Sequence, residues 1–247
     1  MIYQCYFKED QKDKLFNSEL YKPFGLEPEV NPDIVKNCPE LENSSVRLNL
    51  AEYSAFLNIY KNGVDTLDKD FWIGFTSYRQ FDKSPVVFHS RKVFETCLMM
   101  SNGFGGWGFY RVTTSPSEQA ELCHPNINKF IVDVLAQFRI SVPPRFYQDK
   151  VALFCNYWAM DKRKFKDYIE WSWPIIQKAM TMRDHVYANT GTVLKTTSKD
   201  KWIGYFMERL FIIWYMLRDY YPANFGPICG ILTDMNFIKN FSRFYRR

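Results

Sequence analysis

The sequence has no closely spaced cysteine pair, which excludes the commonest zinc and redox motifs. Its six cysteines are far apart, with no C-x-x-C and no histidine at ligand spacing from any of them. They are Cys5, Cys38, Cys97, Cys123, Cys155 and Cys229. We therefore expect neither a zinc site nor a redox-active pair, and we expect the thiols to be reduced, as in a cytoplasmic protein.

Long apolar runs are also missing. No run approaches the roughly 20 apolar residues that a membrane-spanning helix needs. The opening stretch, from Met1 to Phe7, is too short for a secretory signal and is followed by polar residues. These absences predict a cytoplasmic location.

A strong charge of one sign is lacking, and so are the motifs of nucleic-acid binding. The chain has 32 Lys and Arg against 27 Asp and Glu, and the basic residues are scattered among acidic ones. No helix-turn-helix, zinc-finger or RNP-like pattern accompanies them. We therefore expect no nucleic-acid partner, whereas the mild net charge of +5 favours an anionic ligand or a membrane surface.

Several catalytic signatures are absent too. There is no Gly-x-Ser-x-Gly, no P-loop and no Gly-x-Gly-x-x-Gly, and the glycines from Gly103 to Gly106 lack both the spacing and the lysine of those motifs. Cys123 and His124 are adjacent in sequence, so their side chains diverge and are not expected to form a nucleophile and base pair.

Apolar and aromatic residues are plentiful. With 247 residues, 47% of them apolar, the chain can bury a sizeable core and is expected to form a single domain over 1–247. Aromatic residues make up 18% of it. They either fill the core, which we favour for most of them, or offer flat faces on which sugars and nucleobases stack. Residues 101–150 form a candidate lid or insertion, and 236–247 a basic aromatic tail.

The segment from Asp70 to Phe81 is the most informative part of the chain. A short apolar run without interior charge ends abruptly at Thr76 and Ser77, and Tyr78, Arg79 and a glutamine follow. A buried parallel strand delivers polar groups in this way to the carboxyl edge of an open α/β sheet, where such folds bind ligands. The pattern predicts a ligand site at this strand end.

The remaining pattern predicts an α/β fold with a mostly parallel central sheet flanked by helices. The segment 21–39, which is rich in proline, is expected to be irregular, and 94–100 to be a strand or a helix. Predicted strands cover 2–7, 86–89 and 151–160. Predicted helices cover 50–60 with Asn49 as N-cap, 126–139, 162–182 with Asp161 as N-cap and a kink or break at Pro174, and 201–220.

Four segments resemble the capsular-polysaccharide family of glycosyltransferase-like proteins. Residues 73–81, Ile-Gly-Phe-Thr-Ser-Tyr-Arg-Gln-Phe, are similar to that family's Ile-Gly-Leu-Cys-His-Tyr-Arg-Arg. The preceding residues 52–62 resemble its Glu-Leu-Thr-Ala-x-Tyr-Trp-x-Trp-Lys-Asn. Residues 155–160 and 205–214 are similar to its Asn-x-Phe-x-Met strand and its closing Glu-Arg-Leu helix. The chain departs from the family at Ser77, where a histidine is usual, and at Gln80, where a second arginine is usual.

The resemblance implies a GT-A fold and transfer of a sugar from a nucleotide-sugar donor. In that fold an Asp-x-Asp pair at a strand end usually holds a divalent metal, Mn²⁺ or Mg²⁺, but this chain has Tyr78-Arg79 in that place. Asp65, Asp68 and Asp70 precede the strand and are interpreted as turn residues. The metal is therefore not supported by an Asp-x-Asp motif.

Without a metal, a guanidinium can balance the charge of the donor diphosphate, because it donates two hydrogen bonds to phosphate oxygens. Arg79 is the candidate for this role, with Tyr78, Ser77 and Glu52 as further donor-binding candidates. Glu52 is the one charged residue in the segment 50–60 and could bind the donor's ribose or base. The alternative is a salt bridge between Glu52 and Arg79 that only orders the strand end.

Two carboxylates are candidates for the catalytic base. Glu208 shares a helical face with apolar and aromatic residues, which would raise its pKa towards the range useful for proton transfer, although it could instead cap a neighbouring loop. Asp161 is the second candidate, and a helix N-cap role is the favoured interpretation for it. Asn156 and Tyr157, in the predicted strand 151–160, are candidates for binding sugar or acceptor hydroxyls, or neighbouring backbone.

Residues 101–109 hold four glycines among three aromatic side chains, which suggests a mobile lid or a plain connecting loop, with Trp107 as a candidate acceptor-binding ring. The tail 236–247 could touch an anionic membrane or pack as a solvated terminal helix.

The overall prediction is a glycosyltransferase acting on a glycan or lipid-linked glycan, peripheral to the membrane if the tail binds it. The alternatives are a non-catalytic carbohydrate-binding or assembly protein on the same fold, and a nucleotide-sugar hydrolase.

Overall fold

The computed structural model describes residues 1–64, 72–84, 86–88, 90–111, 114–190 and 202–225. The strands are β1 Ile2–Tyr6, β2 Tyr21–Gly25, β3 Trp72–Ser77, β4 Phe104–Gly106, β5 Phe109–Arg111, β6 Val151–Leu153, β7 Trp158–Asp161 and β8 Ala223–Asn224. The helices are α1 Ser44–Leu50, α2 Tyr53–Lys61, α3 Gln80–Lys83, α4 Arg91–Met100, α5 Pro116–Cys123, α6 Ile127–Ala136, α7 Arg145–Gln148, α8 Lys162–Thr190 and α9 Trp202–Leu217. Short 3₁₀ helices cover Glu9–Lys14, Pro32–Val35 and Pro39–Leu41.

Within these ranges a six-stranded sheet has the order β2, β1, β3, β7, β4, β8. Strand β1 is parallel to β2 and β3, and β4 is parallel to β8, whereas β7 is antiparallel to both of its neighbours, β3 and β4. Five of these six strands therefore run in the same direction. The prediction of a mostly parallel α/β sheet flanked by helices is confirmed.

Successive side chains of a strand point to opposite sides of the sheet, and each side is covered by its own buried cluster. In β1, Tyr3 belongs to the larger of two buried clusters and Ile2 to the smaller one. In β7, Trp158 joins the larger cluster and Ala159 the smaller. Helices α1, α2, α6, α8 and α9 contribute to the larger cluster, whereas α4 contributes to the smaller.

Aromatic rings fill the larger cluster, which accounts for much of the high aromatic content. The ring of Trp158 lies at its centre, stacked on Phe211 with ring centroids 5.0 Å apart and edge-on to Phe56 and Phe75. Tyr168 packs edge-on against Phe211. Such pairs add about 0.5–1.5 kcal/mol each beyond the apolar area that they bury. The interpretation of most aromatic residues as core is confirmed for these rings.

The predicted strand 151–160 is wrong as a single element. Residues 151–153 pair with β5 in a separate two-stranded sheet, and 158–161 form β7 in the main sheet. Between them, Cys155 and Asn156 have φ values of +67° and +55°. Two consecutive residues in this left-handed region cannot continue a strand, so the chain turns there and changes sheet.

Two other segments differ from expectation. The segment that was expected to be irregular supplies the edge strand β2, and Pro23 is tolerated there because an edge strand does not need every N–H for pairing. The predicted helix over 50–60 is found as α2, but it begins only at Tyr53, because Ala51 with φ +47° separates it from α1, which ends at Leu50. The N-cap position of α2 is held by Glu52, whereas the predicted cap Asn49 lies inside α1.

Several helices follow their sequence patterns. Helices α6 and α9 lie where their sequence patterns place them. Helix α8 begins where expected, with Asp161 as its cap accepting a hydrogen bond from Lys164 N at 2.8 Å, but it continues to Thr190 instead of ending near residue 182. Pro174 lies inside α8 without ending it. Residues 94–100 are helical, and no strand forms over 86–88, where Phe88 N instead donates to the Tyr21 hydroxyl.

The glycine-rich segment is part of the sheet rather than a lid or a plain loop. Gly105 and Gly106 belong to β4, which lies between β7 and β8. A Cβ on Gly105 would lie 2.6 Å from the carbonyl oxygen of Ala223, and one on Gly106 would lie 2.6 Å from that of Tyr157. The glycines therefore allow the close approach of neighbouring backbones.

Candidate functional site

The carboxyl edge of the sheet gathers most of the predicted site residues. Strand β3 ends there at Ser77, and β7, which runs the other way, begins there just after Tyr157. The Ser77 hydroxyl and the Tyr157 hydroxyl are 2.8 Å apart, and both side chains are buried. This hydrogen bond joins the end of β3 to the turn that precedes β7.

Arg79 lies two residues beyond β3 and faces solvent. Its side chain is 53% exposed, and its Nε lies 3.5 Å from the carboxylate of Asp82. Its backbone N–H donates to Ser77 Oγ at 3.3 Å. The described ion pair of Arg79 is thus with Asp82 and not with Glu52, and the guanidinium is accessible at the edge where the sequence placed a ligand site.

A second cation, which the sequence reasoning missed, lies near the ring of Tyr78, the residue before Arg79. The 3₁₀ helix Glu9–Lys14 follows β1, so it starts from the same edge, and the Lys14 ammonium is 5.9 Å from the centre of the Tyr78 ring. The backbone N–H of Tyr78 donates to the carbonyl of Cys5 at 2.9 Å, which holds this residue against β1. The only sequence signal for Lys14 was its place in the charged stretch that follows the first strand.

Glu52 also lies at this edge. It occupies the N-cap position of α2 and is partly buried. Burial raises the pKa of the Cys5 thiol well above its ordinary value, and the negative charge of Glu52 adds to that increase. Cys5 pairs with Ser77 across β1 and β3, so Glu52 is close to the ends of both strands.

Asn156 and Trp107 have different surroundings from those predicted. Asn156 is partly exposed in the turn before β7, at the carboxyl edge but outside any strand. The Trp107 ring is 2% exposed, stacked on Phe225 and edge-on to Phe88. Stacking on a sugar would require this ring to leave the core, so the structure gives the acceptor-binding hypothesis for Trp107 no support.

Glu208 belongs to a polar cluster on α9. Its carboxylate is 22% exposed and accepts a hydrogen bond from the buried guanidinium of Arg209 at 2.7 Å. Arg209 also donates to the side-chain oxygen of Gln119 at 2.7 Å and lies 5.4 Å above the ring of Phe154. Phe154 immediately precedes the turn at 155–157, so this cluster lies on the β4 side of the same edge.

His124 adjoins this cluster. Its ring stacks on Tyr205 with centroids 3.6 Å apart, and its Nδ1 is buried without a hydrogen-bond partner. Burial, and to a lesser extent the charge of Arg209, lower the pKa of His124 to about 4. The imidazole is therefore neutral at pH 7. Cys123 accepts a hydrogen bond from Gln119 and forms no described hydrogen bond with His124.

Asp161 lies at the opposite edge of the sheet. It pairs in register with Trp72, at the start of β3, roughly 16 Å from Ser77 at the strand's end. Its carboxylate is buried, caps α8 and forms an ion pair with Lys164. The structure therefore separates Asp161 from Arg79 and confirms the helix-capping role that was favoured for it, and a catalytic role for Asp161 stays a prediction.

Other predicted features are only partly covered. Asp65, Asp68, Asp70 and the tail 236–247 lie outside the described residues. Among the residues that are described, no three His, Cys, Asp or Glu side chains are grouped as a metal site. Within the same ranges, no helix combines the length and hydropathy that crossing a bilayer requires.

Comparison with solved structures places this architecture among known folds. The chain shares its fold with a glycosyltransferase. The match is the apo structure of WbbM, a bifunctional glycosyltransferase, with a TM-score of 0.57 and 16% sequence identity. It covers 90% of this chain but 43% of WbbM, so the chain spans less than half the length of that protein. No protein-family model and no curated protein sequence matches the chain, and membership of the capsular-polysaccharide family stays a prediction.

Proposed function

We propose that this protein is a glycosyltransferase that moves a sugar from a nucleotide-sugar donor to a glycan or lipid-linked glycan. The observation that carries the proposal is the accessible Arg79 guanidinium at the carboxyl edge of β3, with the Lys14 ammonium beside the neighbouring Tyr78. Parallel α/β sheets bind their ligands at this edge. The fold that the chain shares with WbbM supports the same reaction class.

Arg79 and Lys14 would bind the diphosphate of the donor. Negative charge grows on this group as the bond between the sugar's anomeric carbon and the diphosphate oxygen breaks, and the two cations would stabilise that charge. The side chains of Ser77, Tyr78, Arg79 and Lys14 are poor ligands for Mn²⁺ or Mg²⁺, which prefer carboxylate oxygens. They do not fit a metal at this position, and we assign no step to one.

Glu208 is the proposed base. As the acceptor oxygen bonds to the anomeric carbon, the proton of the acceptor hydroxyl would pass to the Glu208 carboxylate. The ion pair with Arg209 holds this carboxylate in one orientation, and its partial exposure lets an acceptor reach it. Asn156 lies in the turn between the residues around Arg79 and those around Glu208, and it is the proposed contact for sugar hydroxyls.

One observation favours a non-catalytic carbohydrate-binding or assembly role on the same fold. Glu208 is already paired with a buried arginine, and a carboxylate in such an ion pair can be purely structural. The two functions differ in turnover, because a binding protein would retain donor or glycan affinity but form no product. Hydrolysis of the donor in water without an acceptor would indicate the third alternative.

The test of the proposed function is calorimetric titration of nucleoside diphosphates and nucleotide sugars in the presence of a chelator. Arg79→Ala should weaken diphosphate binding roughly 10- to 100-fold, because a charge-assisted hydrogen bond is lost. Arg91→Ala is the matched control, since Arg91 is 60% exposed and pairs with Glu95 on its own helix as Arg79 pairs with Asp82. Equal affinities for the wild type and Arg79→Ala would remove Arg79 from the site.

A further inference from the structure

A groove outside the proposed active site runs along the outer side of the edge strand β2. It has a volume of about 440 Å³. The side chains that define it are Tyr6, Lys22, Phe24, Asn31, Lys36 and Asn58. Its volume lies within the range of ligand-binding clefts, roughly 300–1,000 Å³. One end, at Tyr6 and Gly25, lies at the carboxyl edge of the sheet, and the other reaches the C-terminal end of α2 at Asn62.

The groove carries two cations. Lys22 and Lys36 are exposed, and neither ammonium group has an ion-pair partner in the part of the chain that the structure describes. The Lys22 ammonium lies 5.8 Å from the centre of the Tyr3 ring, which positions it over β1. Asp33 is the one carboxylate in the lining, so the lining has an excess of one positive charge.

The polar wall of the groove is held by hydrogen bonds. The Asn58 amide donates to the carbonyls of Asp33 and Ile34 at 2.9 and 2.8 Å, and the Asn31 amide donates to Gly25 O at 3.0 Å. These bonds fix the wall before any ligand arrives, which lowers the entropy cost of binding. The side-chain oxygen of Asn31 has no described partner and can accept a hydrogen bond from a hydroxyl group.

The aromatic part of the lining is also fixed. The Phe24 ring is partly exposed and packs edge-on against Tyr3, with centroids 5.8 Å apart. The Tyr6 hydroxyl donates to Val30 O at 3.4 Å. The groove therefore combines a fixed aromatic ring, an amide acceptor and two ammonium groups in one open, elongated surface.

We infer that this groove binds an acidic oligosaccharide. Ring carbon surfaces would pack on Phe24, hydroxyls would donate to Asn31, and carboxylates of the sugar would pair with Lys22 and Lys36. The open form of the groove suits a chain that continues beyond it at both ends. The choice of a glycan rests on the proposed function, whereas the cationic binding surface does not. Strand order places β2 two strands from β3, roughly 10 Å away, so this surface is separate from Arg79.

The test uses tetragalacturonate as the acidic probe and maltotetraose as the neutral one, each titrated calorimetrically into the full chain. We expect tetragalacturonate to bind more tightly, with an affinity that falls as salt is added. The double variant Lys22→Gln/Lys36→Gln should lose roughly tenfold or more of that affinity. The control Lys92→Gln/Lys129→Gln changes the net charge equally on exposed residues away from the groove and should bind like the wild type.

Three results would overturn the inference. One is an equal loss in the groove variant and the control, since only overall charge would then matter. Another is a groove variant that binds tetragalacturonate as the wild type does. The third is displacement of tetragalacturonate by UDP, because the groove would then belong to the donor site. A failed donor site is distinguishable from all of these, since it would abolish UDP binding to the wild type and leave the tetragalacturonate titration unchanged.

Discussion

At the scale of single residues, Glu208 offers the most direct test of the proposed chemistry. Glu208→Gln removes the proton acceptor but keeps a side-chain oxygen that can accept the hydrogen bond from Arg209. We expect transfer to fall roughly 10²- to 10⁴-fold, with donor affinity and the circular dichroism spectrum unchanged. The measurement is product formation with a nucleotide-sugar donor and a glycan acceptor. Turnover at the wild-type rate would refute the assignment of Glu208 as the base.

His124 should make the stability of the protein depend on pH. Its pKa is about 4 in the folded protein and about 6.5 when unfolded. Between pH 6.5 and pH 4, His124 is therefore protonated in the unfolded chain but neutral in the folded protein, which favours unfolding. The stability that depends on neutral His124 is complete above pH 6.5 and is lost as the pH falls towards 4. Allowing for its partial exposure, the loss is on the order of 2 kcal/mol.

The matched variant for this effect is His124→Phe, which keeps a ring to stack on Tyr205 and does not titrate. Urea unfolding at several pH values between 7 and 4 gives the free energy of unfolding of each protein. We expect the wild type to lose more stability than the variant over this interval, because carboxylates titrate equally in both. Parallel curves for the two proteins would contradict the lowered pKa.

At the scale of elements, the close packing of β4 leads to a prediction with an internal control. A methyl group on Gly105 would meet the carbonyl of Ala223 and the ring of Phe225, so Gly105→Ala should lower the free energy of unfolding by about 1–3 kcal/mol. Gly204→Ala on α9 should instead raise it by up to about 1 kcal/mol, because its Cβ would meet nothing closer than 4.0 Å and alanine favours helix. Thermal unfolding measures both, and equal effects would argue against close packing at β4.

The elements that sequence predicted well are those with a strong local signal. The apolar period of α6, the apolar composition of α9 and the capping position of Asp161 are local signals, and each element is found where expected. The strand 151–160 failed because two residues, Cys155 and Asn156, adopt positive φ although neither is glycine. Asparagine adopts positive φ more readily than most residues, but one asparagine after a cysteine is too weak a signal to predict this turn. The change of sheet between β6 and β7 depends on pairing with strands that are distant in sequence.

At the scale of the whole molecule, the two edges of the sheet should behave differently on mutation. Asp161→Ala leaves the buried Lys164 ammonium without its carboxylate partner and should cost about 3–5 kcal/mol of stability. The folded fraction should retain the wild-type kcat, because Asp161 lies at the edge away from Arg79. Glu95→Ala, in an exposed pair, should cost less than about 1 kcal/mol. A kcat that falls in the folded Asp161→Ala protein would restore Asp161 as a catalytic candidate.

The candidate site was predictable only where it follows one strand. The apolar run of β3 and its polar end are a local signal, and that signal indicates Ser77, Tyr78 and Arg79. Lys14 and the link between Ser77 and Tyr157 depend on which strands become neighbours, and the pairing of Arg209 with Gln119 joins residues 90 positions apart. Contacts between residues so far apart in sequence produce no repeating pattern in it, so they could not be predicted from sequence patterns.

The reversed strand β7 has a consequence for biosynthesis. It lies between β3 and β4, so a chain that leaves the ribosome without residues 158–161 has two central strands with unpaired backbone groups. Exposed strand edges of this kind recruit other chains. Products of premature termination before β7 should therefore aggregate, and the nascent protein needs protection until that strand is made.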